Sequence, residues 1–348
     1  MISIIVGGQF GSEGKGKVTK MFAEKYHATS VVKVGGTNSG HTVYDKDGKP
    51  FVFRVLPSAA INGNVNLILP AGSYIDVDIL EAEMNALSIP EERVKIHPNA
   101  GIITYDNAQC ELLNGIVDTI GSTGSGTGDC VMDRLRRSGV YIRAADDHRL
   151  SRFICDTTAF LRDEMNQRHH VVVEGTQGFG LSLIHSPYYP FVTSRDTTAA
   201  GFLSEVGLSP FDVKNVVLVL RTYPIRVGGN SGPLPNEIDW ETVSERAHRD
   251  IKEYTSVTKR LRRVAEFDAD IVKQAISVNR PLTIVLNFLD YIYDEMVDDE
   301  GFGPNRIAEI ERIENLIGRK VSYVGFGPDD VTFWTPMKKF RPLHPIES

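Results

Sequence analysis

Directly after the apolar run "ISIIV" (2–6) the chain reads "GGQFGSEGKGKV" (7–18), a glycine-rich loop carrying Ser12, Glu13, Lys15 and Lys17. A strand, such a loop and then the helical pattern "VTKMFAEKY" present backbone N–H groups, a helix N-terminus and ammonium charge to an anion, which is what a phosphate site requires. A mere tight turn needs one or two glycines and leaves the lysines unexplained. "GSEGKGKV" follows the phosphate-loop pattern GxxxxGK[ST] up to its last position, where Val18 replaces the magnesium-binding hydroxyl, so an ordinary P-loop NTPase is not expected.

Further loops carry related chemistry. In "GGTNSGHT" (35–42), Thr37 and Asn38 can bond phosphate oxygens, the bare Gly40 carbonyl can reach a Mg²⁺ ion, and His41 can protonate or polarise a bridging oxygen, although a lone loop histidine is more often a surface or packing residue. "GSTGSGTG" (121–128) supplies small residues and hydroxyls suited to a phosphate, or equally a flexible connection. In "EGTQG" (174–178), Gln177 offers both donor and acceptor to a base edge or to a buried polar network. "VTKRLRRV" (257–264) is either a solvated basic face or a carboxylate clamp built on the bidentate geometry of arginine.

These loops need a frame. Short apolar runs recur at 2–6, 30–34, 66–70, 170–174, 215–220 and 282–287, with helical patterns such as 78–87, 241–253 and 305–317 between them. That alternation predicts an α/β fold with a mostly parallel central sheet flanked by helices, in which ligands lie outside the carboxyl ends of the strands. Residues 1–348 are expected to form one continuous domain with insertions, since no repeat, low-complexity tract or long linker interrupts them. The 41% hydrophobic content suits a full core. A net charge of −7 disfavours direct nucleic-acid binding. Cys110, Cys130 and Cys155 show no metal-binding or disulfide spacing and fit a reducing cytoplasm, and no run of apolar residues is long enough to span a membrane.

Taken in order, QFGSEGKGK, GGTNSGHT, STGSGTG, RRSG, EGTQG, PFVTS, RVGG and TKRLRR, spread over residues 9 to 263, resemble the adenylosuccinate synthetase family, whose patterns run QWGDEGKGK, GGxNAGHT, TTGRGIGP, ARRG, EGAQG, PYVTS, RVGAGPFPT and TTGRRRR. The resemblance implies a homodimeric ligase that joins L-aspartate to IMP, driven by GTP hydrolysis with Mg²⁺. It places Glu13, Gly14, Lys15, Gly16, Lys17, Gly40, His41 and Thr42 on the triphosphate, with His41 as general acid towards the leaving diphosphate. Ser12 and Gly40 fall beside the metal. Asn38, Thr123, Thr193 and Val227 fall on the purine nucleotide, Arg137 reaches it from the partner subunit, and Gln177 contacts O6 of its base. Thr258, Arg260 and Arg262 match the aspartate clamp, while Asp290, Gly327 and Pro328 match the places that read the triphosphate's base.

The departures carry information. Ser12 stands where the family has the aspartate that removes the N1 proton, and a serine hydroxyl at its ordinary pKa cannot do this unaided. "TKLD" has become "NFLD", without the lysine beside the base-reading aspartate, which puts GTP preference in doubt and makes ATP the expected triphosphate, with dATP or GTP as alternatives because Asp290 itself can still pair with guanine N1 and N2. Lys259 and Ser125 replace a glycine and an arginine of the family patterns. A serine here in a compact chain resembles the phage branch of the family, which joins L-aspartate to dGMP. The 2-amino group lies next to N1, where a carboxylate would crowd it. The expectation is therefore a dGMP–aspartate ligase, with an IMP-type synthetase and an inactive nucleotide-binding regulator as alternatives. Retention of His41, Gln177 and the clamp arginines weighs against the regulator.

Overall fold

A computed structural model of the protein describes residues 1–255, 259–298 and 301–334. Its centre is a nine-stranded sheet built from β1 (Ile2–Gly7), β2 (Ser30–Lys33), β3 (Asn66–Leu69), β4 (Val94–Ile96), β5 (Val171–Glu174), β6 (Val213–Arg221), β7 (Thr283–Asn287), β8 (Tyr323–Val324) and β9 (Thr332–Phe333). From one edge the order is β9, β8, β7, β6, β1, β5, β2, β3, β4, and every pairing is parallel except that of β8 with β9. All six apolar runs picked out in the sequence are strands of this sheet.

The runs are apolar throughout because the sheet is covered on both sides. Ile2, Ile4 and Val6 pack into one layer with Phe202, Ile271 and Ile310, and Ile5 packs into the other with Val18, Phe22 and Leu80. Side chains alternate across a strand, so a doubly covered strand needs apolar residues at every position.

The winding reverses at β1. From there the chain moves out through β2, β3 and β4, inserts β5 between β1 and β2, then crosses β1 to lay β6 to β9 on the other side. Such a switch point leaves a crevice at the carboxyl ends of the strands. The loops after β1, β2, β5, β6, β7 and β8 leave from those ends, which is where the candidate residues lie.

Two helix boundaries differ from the sequence reading. The first helix, α1 (Lys15–Lys25), begins three residues before the apparent pattern because Gly14, at φ 85°, closes the loop and puts Lys15 and Lys17 in the first turn. That turn contains no acidic residue, so dipole and ammonium groups add rather than cancel. The pattern over 241–253 forms a helix only at Trp240–Ala247, because His248 turns to φ 52° and ends it.

Candidate active site

The loop between β1 and α1 is built around a buried carboxylate. Glu13 accepts from the N–H groups of Gln9 (3.0 Å) and Gly11 (2.8 Å) and from Lys15 Nζ (2.8 Å), so it holds the loop from inside rather than facing a ligand. Lys15 also reaches the Gly11 carbonyl at 3.2 Å. Asn287, at the end of β7, donates to the Glu13 carbonyl at 2.7 Å and ties the next loop to this one. Lys17 donates to the Gly327 carbonyl at 2.7 Å, and burial lowers its pKa to about 8 against the raising influence of Asp330, Asp290 and Asp329. Gly14 and Gly16 flank Lys15, and Gly16 lies against Ser58 and His41.

Ser12 is half-buried at the turn of the loop. Its hydroxyl accepts from Arg262 Nη1 at 2.7 Å and its carbonyl from Arg221 Nη1 at 2.9 Å. Arg221 is buried, pairs with Glu253 and lies 4.0 Å from the centre of the Phe288 ring, while Tyr291 donates to the same glutamate at 2.8 Å. The basic run thus sends Arg262 to Ser12, and the solvated-face reading does not hold for that residue. Arg260 is exposed, with its N–H on Thr255 Oγ1 at 3.0 Å, and Thr258 lies outside the described residues.

His41 opens a short hairpin, His41–Tyr44 paired with Pro50–Phe53, in which Thr42 is half-buried. Its Nδ1 bonds Glu174 at the end of β5, and Glu174 also accepts from the Ser58 N–H (2.7 Å) and hydroxyl (2.6 Å). The carboxylate is fully buried, but His41, Lys33 and Ser58 outweigh that burial and hold its pKa below the usual range. Burial lowers the pKa of His41 despite Glu174. Burial thus favours the neutral ring, Nδ1 faces the carboxylate, and Nε2 is buried without a hydrogen-bond partner among the described residues. The hydroxyls of Thr37 and Ser39 in the same loop are also buried and unpartnered there. Such orphaned groups mark a place where a polar ligand completes the bonding.

The remaining loops close around these two centres. A side chain at Gly11 would come within 3.1 Å of the Gln177 backbone, so the Ser12 loop and "EGTQG" touch, with Gln177 itself at φ 63°. A Cβ at Gly36 would lie 2.3 Å from Thr127, which brings the loop of Asn38 and Gly40 onto the start of the helix Thr127–Arg136. In the loop before that helix, Thr123 is exposed and bonds Ser125 at 3.2 Å. The amides of Gly126 and Gly128 donate to Glu111 at 3.0 and 2.6 Å, so a buried carboxylate already caps this helix start. Asn230 donates to the Thr119 carbonyl at 2.9 Å, which joins this region to the loop after Val227. Arg226 donates to the Phe191 carbonyl at 2.8 Å, bringing in the segment of Thr193.

Arg137 lies apart from this cluster. It is exposed at φ 55° beyond the far end of its helix, ten residues and about 15 Å from Thr127. Asp290, half-buried, is paired with Arg249; Gly327 donates to Asp330 at 2.5 Å, and Pro328 is exposed.

Glu174, Ser58, Arg221, Glu253, Asn287, Glu111 and Arg249 were not singled out by sequence reasoning. Glu174 and Asn287 were within sight, since they begin "EGTQG" and "NFLD" at the ends of apolar strands; the others lie in stretches with no motif of their own.

The family model for adenylosuccinate synthetase matches residues 4–148 and 142–298. The chain is 36% identical over 335 residues to the adenylosuccinate synthetase of Methanococcus aeolicus, covering 94% of this chain and 97% of the relative. The corresponding enzyme of a Pyrococcus species is 35% identical over 338 residues, covering 94% and 96%. Among solved structures, the succinoaminodeoxyadenylate synthetase (PurZ) of cyanophage S-2L, bound to dGMP and to dATP as an energy donor, superposes with a TM-score of 0.80 at 31% identity over 95% of each chain. The fully ligated adenylosuccinate synthetase of Plasmodium falciparum has a TM-score of 0.83 at 20% identity, over 96% of this chain and 99% of that one, a likeness of fold. The protein is a ligase of the class that forms carbon–nitrogen bonds. The chain belongs to the adenylosuccinate synthetase family.

Proposed function

We propose that the protein joins L-aspartate to C6 of dGMP at the expense of ATP or dATP, giving N6-succino-2-amino-2′-deoxyadenylate. The observation that carries this reading is Ser12: a single hydroxyl, held by Arg262, at the position where IMP-type relatives need a carboxylate. The cyanophage synthetase bound to dGMP and dATP supports it, whereas the names of the archaeal relatives favour the IMP alternative.

In the first step purine O6 attacks the γ-phosphorus, the bond to the diphosphate breaks, and the N1 proton passes to solvent water. In the second, the amine of aspartate adds to C6 and inorganic phosphate departs. Lys15, which carries the Glu13 contact with it, and the loop amides that Glu13 leaves free hold developing negative charge in a site already shaped for it. Nε2 of His41 is buried without a partner among the described residues, on a side chain that packs against Gly16 of this loop, and an arriving polyanion raises the ring's pKa so that it becomes a donor to the leaving diphosphate. Gln177 orients O6, and Arg262 with Arg260 and Thr258 receives the carboxylates of aspartate, so that Arg262 senses both the amino acid and Ser12.

Mg²⁺ would neutralise the phosphates. Among the described residues no group of three carboxylate, imidazole or thiol side chains is placed to hold a metal. This fits an ion carried mainly by substrate phosphates, with the Gly40 carbonyl as the protein ligand. The Ser12 hydroxyl, already facing a guanidinium, is poorly suited to bind a cation.

The site is completed across a two-fold dimer in this reading: Arg137, exposed and remote from its own chain's cleft, reaches the 5′-phosphate of the partner. Incubation with L-aspartate, Mg²⁺, ATP and each of dGMP, GMP and IMP, read by product mass, tests the assignment. A succino product from dGMP is expected, and preferential conversion of IMP replaces this reading by the ordinary synthetase.

A further inference from the structure

The loss of the family lysine next to Asp290 removes a feature without saying what replaced it. The structure supplies a replacement from elsewhere in the chain. The turn that ends the helix Trp240–Ala247 is fixed by the Arg249 N–H on the Ser244 carbonyl (3.2 Å), and His248 stacks on Tyr293 with ring centres 3.8 Å apart. These contacts fasten the turn to the segment after β7. Arg249 Nη2 then donates to Asp290 Oδ2 and, at 3.3 Å, to the Asp290 carbonyl. Leu289 N–H bonds the Gly325 carbonyl at 3.1 Å, so the pair stands beside the loop whose Gly327 receives Lys17.

We propose that Arg249 and Asp290 together form a composite edge that selects adenine over guanine in the triphosphate, an inference that rests on the reading that Asp290 faces that base. A free carboxylate presents two acceptors and suits guanine, whose N1–H and 2-amino group are adjacent donors. With Oδ2 occupied by a guanidinium, the pair presents an acceptor (Oδ1) next to remaining N–H donors of Arg249. Adenine offers the complement, a 6-amino donor next to the N1 acceptor, as it does to the amide of Asn or Gln. Two charged side chains thereby imitate one amide. In that pose guanine sets its O6 against Oδ1 and its N1–H against a guanidinium N–H, so it binds only by displacing Arg249 from a charge-assisted hydrogen bond or by shifting to pair O6 with the guanidinium and N1–H with Oδ1, which leaves its 2-amino group outside the pair.

The test titrates the β,γ-imido analogues of ATP and GTP into the full-length protein with dGMP and Mg²⁺, and follows kcat/KM for ATP and GTP in parallel. The unmodified protein favours the adenine analogue. Arg249→Ala, which truncates a half-exposed side chain, lowers or inverts that preference by about tenfold or more. The double variant Arg249→Ala with Asp290→Asn restores adenine preference, because a real amide then takes the place of the pair. A guanine preference in the unmodified protein, an unchanged ratio in Arg249→Ala, or a double variant that favours guanine overturns the proposal. Failure of the dGMP assignment is seen separately, in the product masses with dGMP and IMP, and with IMP as co-substrate the analogue preference still decides the role of Arg249.

Discussion

Replacing Glu174 by glutamine keeps its size and removes its charge, and the bonding around it dictates the consequence. Oε2 accepts from the Ser58 N–H, while Oε1 accepts from both the Ser58 hydroxyl and His41 Nδ1. The glutamine oxygen must face the Ser58 N–H, since the opposite orientation sets an NH₂ against a backbone donor. The NH₂ then faces the hydroxyl, which can rotate to accept, and Nδ1, which must give up its proton. His41 is forced into the Nε2–H tautomer, and its imidazolium form loses its buried counter-charge. One donor displaced or left unpaired costs about 1–3 kcal/mol of stability, and a lost general acid lowers kcat by about 10²-fold. The expected result is a fall of that order in kcat with a smaller change in KM for the triphosphate, and a melting temperature lower by a few degrees. A second readout separates catalysis from mere packing. Because burial lowers the pKa of His41 in the free protein, binding of the polyanionic triphosphate near neutral pH takes up a proton, detectable by calorimetry in buffers of different ionisation enthalpy. Glu174→Gln should abolish that uptake. A variant that keeps turnover within about twofold of the unmodified enzyme, or that still takes up the proton, refutes the assigned coupling.

Ser12→Asp should lower kcat/KM for dGMP by crowding the 2-amino group and by drawing Arg262 into a salt bridge, with a rise for IMP as the weaker effect; steady-state kinetics on both nucleotides decide, and an undiminished rate with dGMP removes the steric argument. Mixing nearly inactive Arg137→Ala and His41→Ala proteins should restore activity, since a hybrid dimer contains one site with both residues intact, and no recovery despite demonstrated subunit exchange excludes the shared site. Lys17, with its pKa lowered to about 8, should lose its charge as pH rises through that value, so KM for the triphosphate increases on the alkaline side and Lys17→Met flattens the profile. The same shift makes the folded state release its proton before the unfolded one does, so Lys17 adds stability as pH rises from about 8 towards the ordinary lysine range, a slope that thermal melts of Lys17→Met should lack.

Much of the protein was written locally. The six apolar runs are strands because a doubly covered parallel strand has to be apolar at consecutive positions, a pattern visible without any partner. The glycine loops were legible because only certain residues permit their backbone, and the placement of ligands at the carboxyl ends follows from parallel topology itself. Ser12 could be weighed from sequence because it interrupts an otherwise intact motif. What sequence could not supply is the set of partners that makes these loops a site. Glu174 lies 133 residues from His41, Arg262 lies 250 from Ser12, and Asn287 lies 274 from Glu13. No spacing rule connects such pairs, since a hydrogen bond across the sheet depends on which strands become neighbours. The order β7, β6, β1, β5, β2 decides that for Asn287 with Glu13 and for Glu174 with His41. Tertiary structure also reassigned groups that looked available: Glu13 turns inward to Lys15, Glu111 occupies the amides of the 121–128 loop, and Arg249 covers Asp290. Composition and motif order determined the chemical class of the protein. Burial, which forces every charge and polar atom to find a partner, decided which of its residues remain free to meet a ligand.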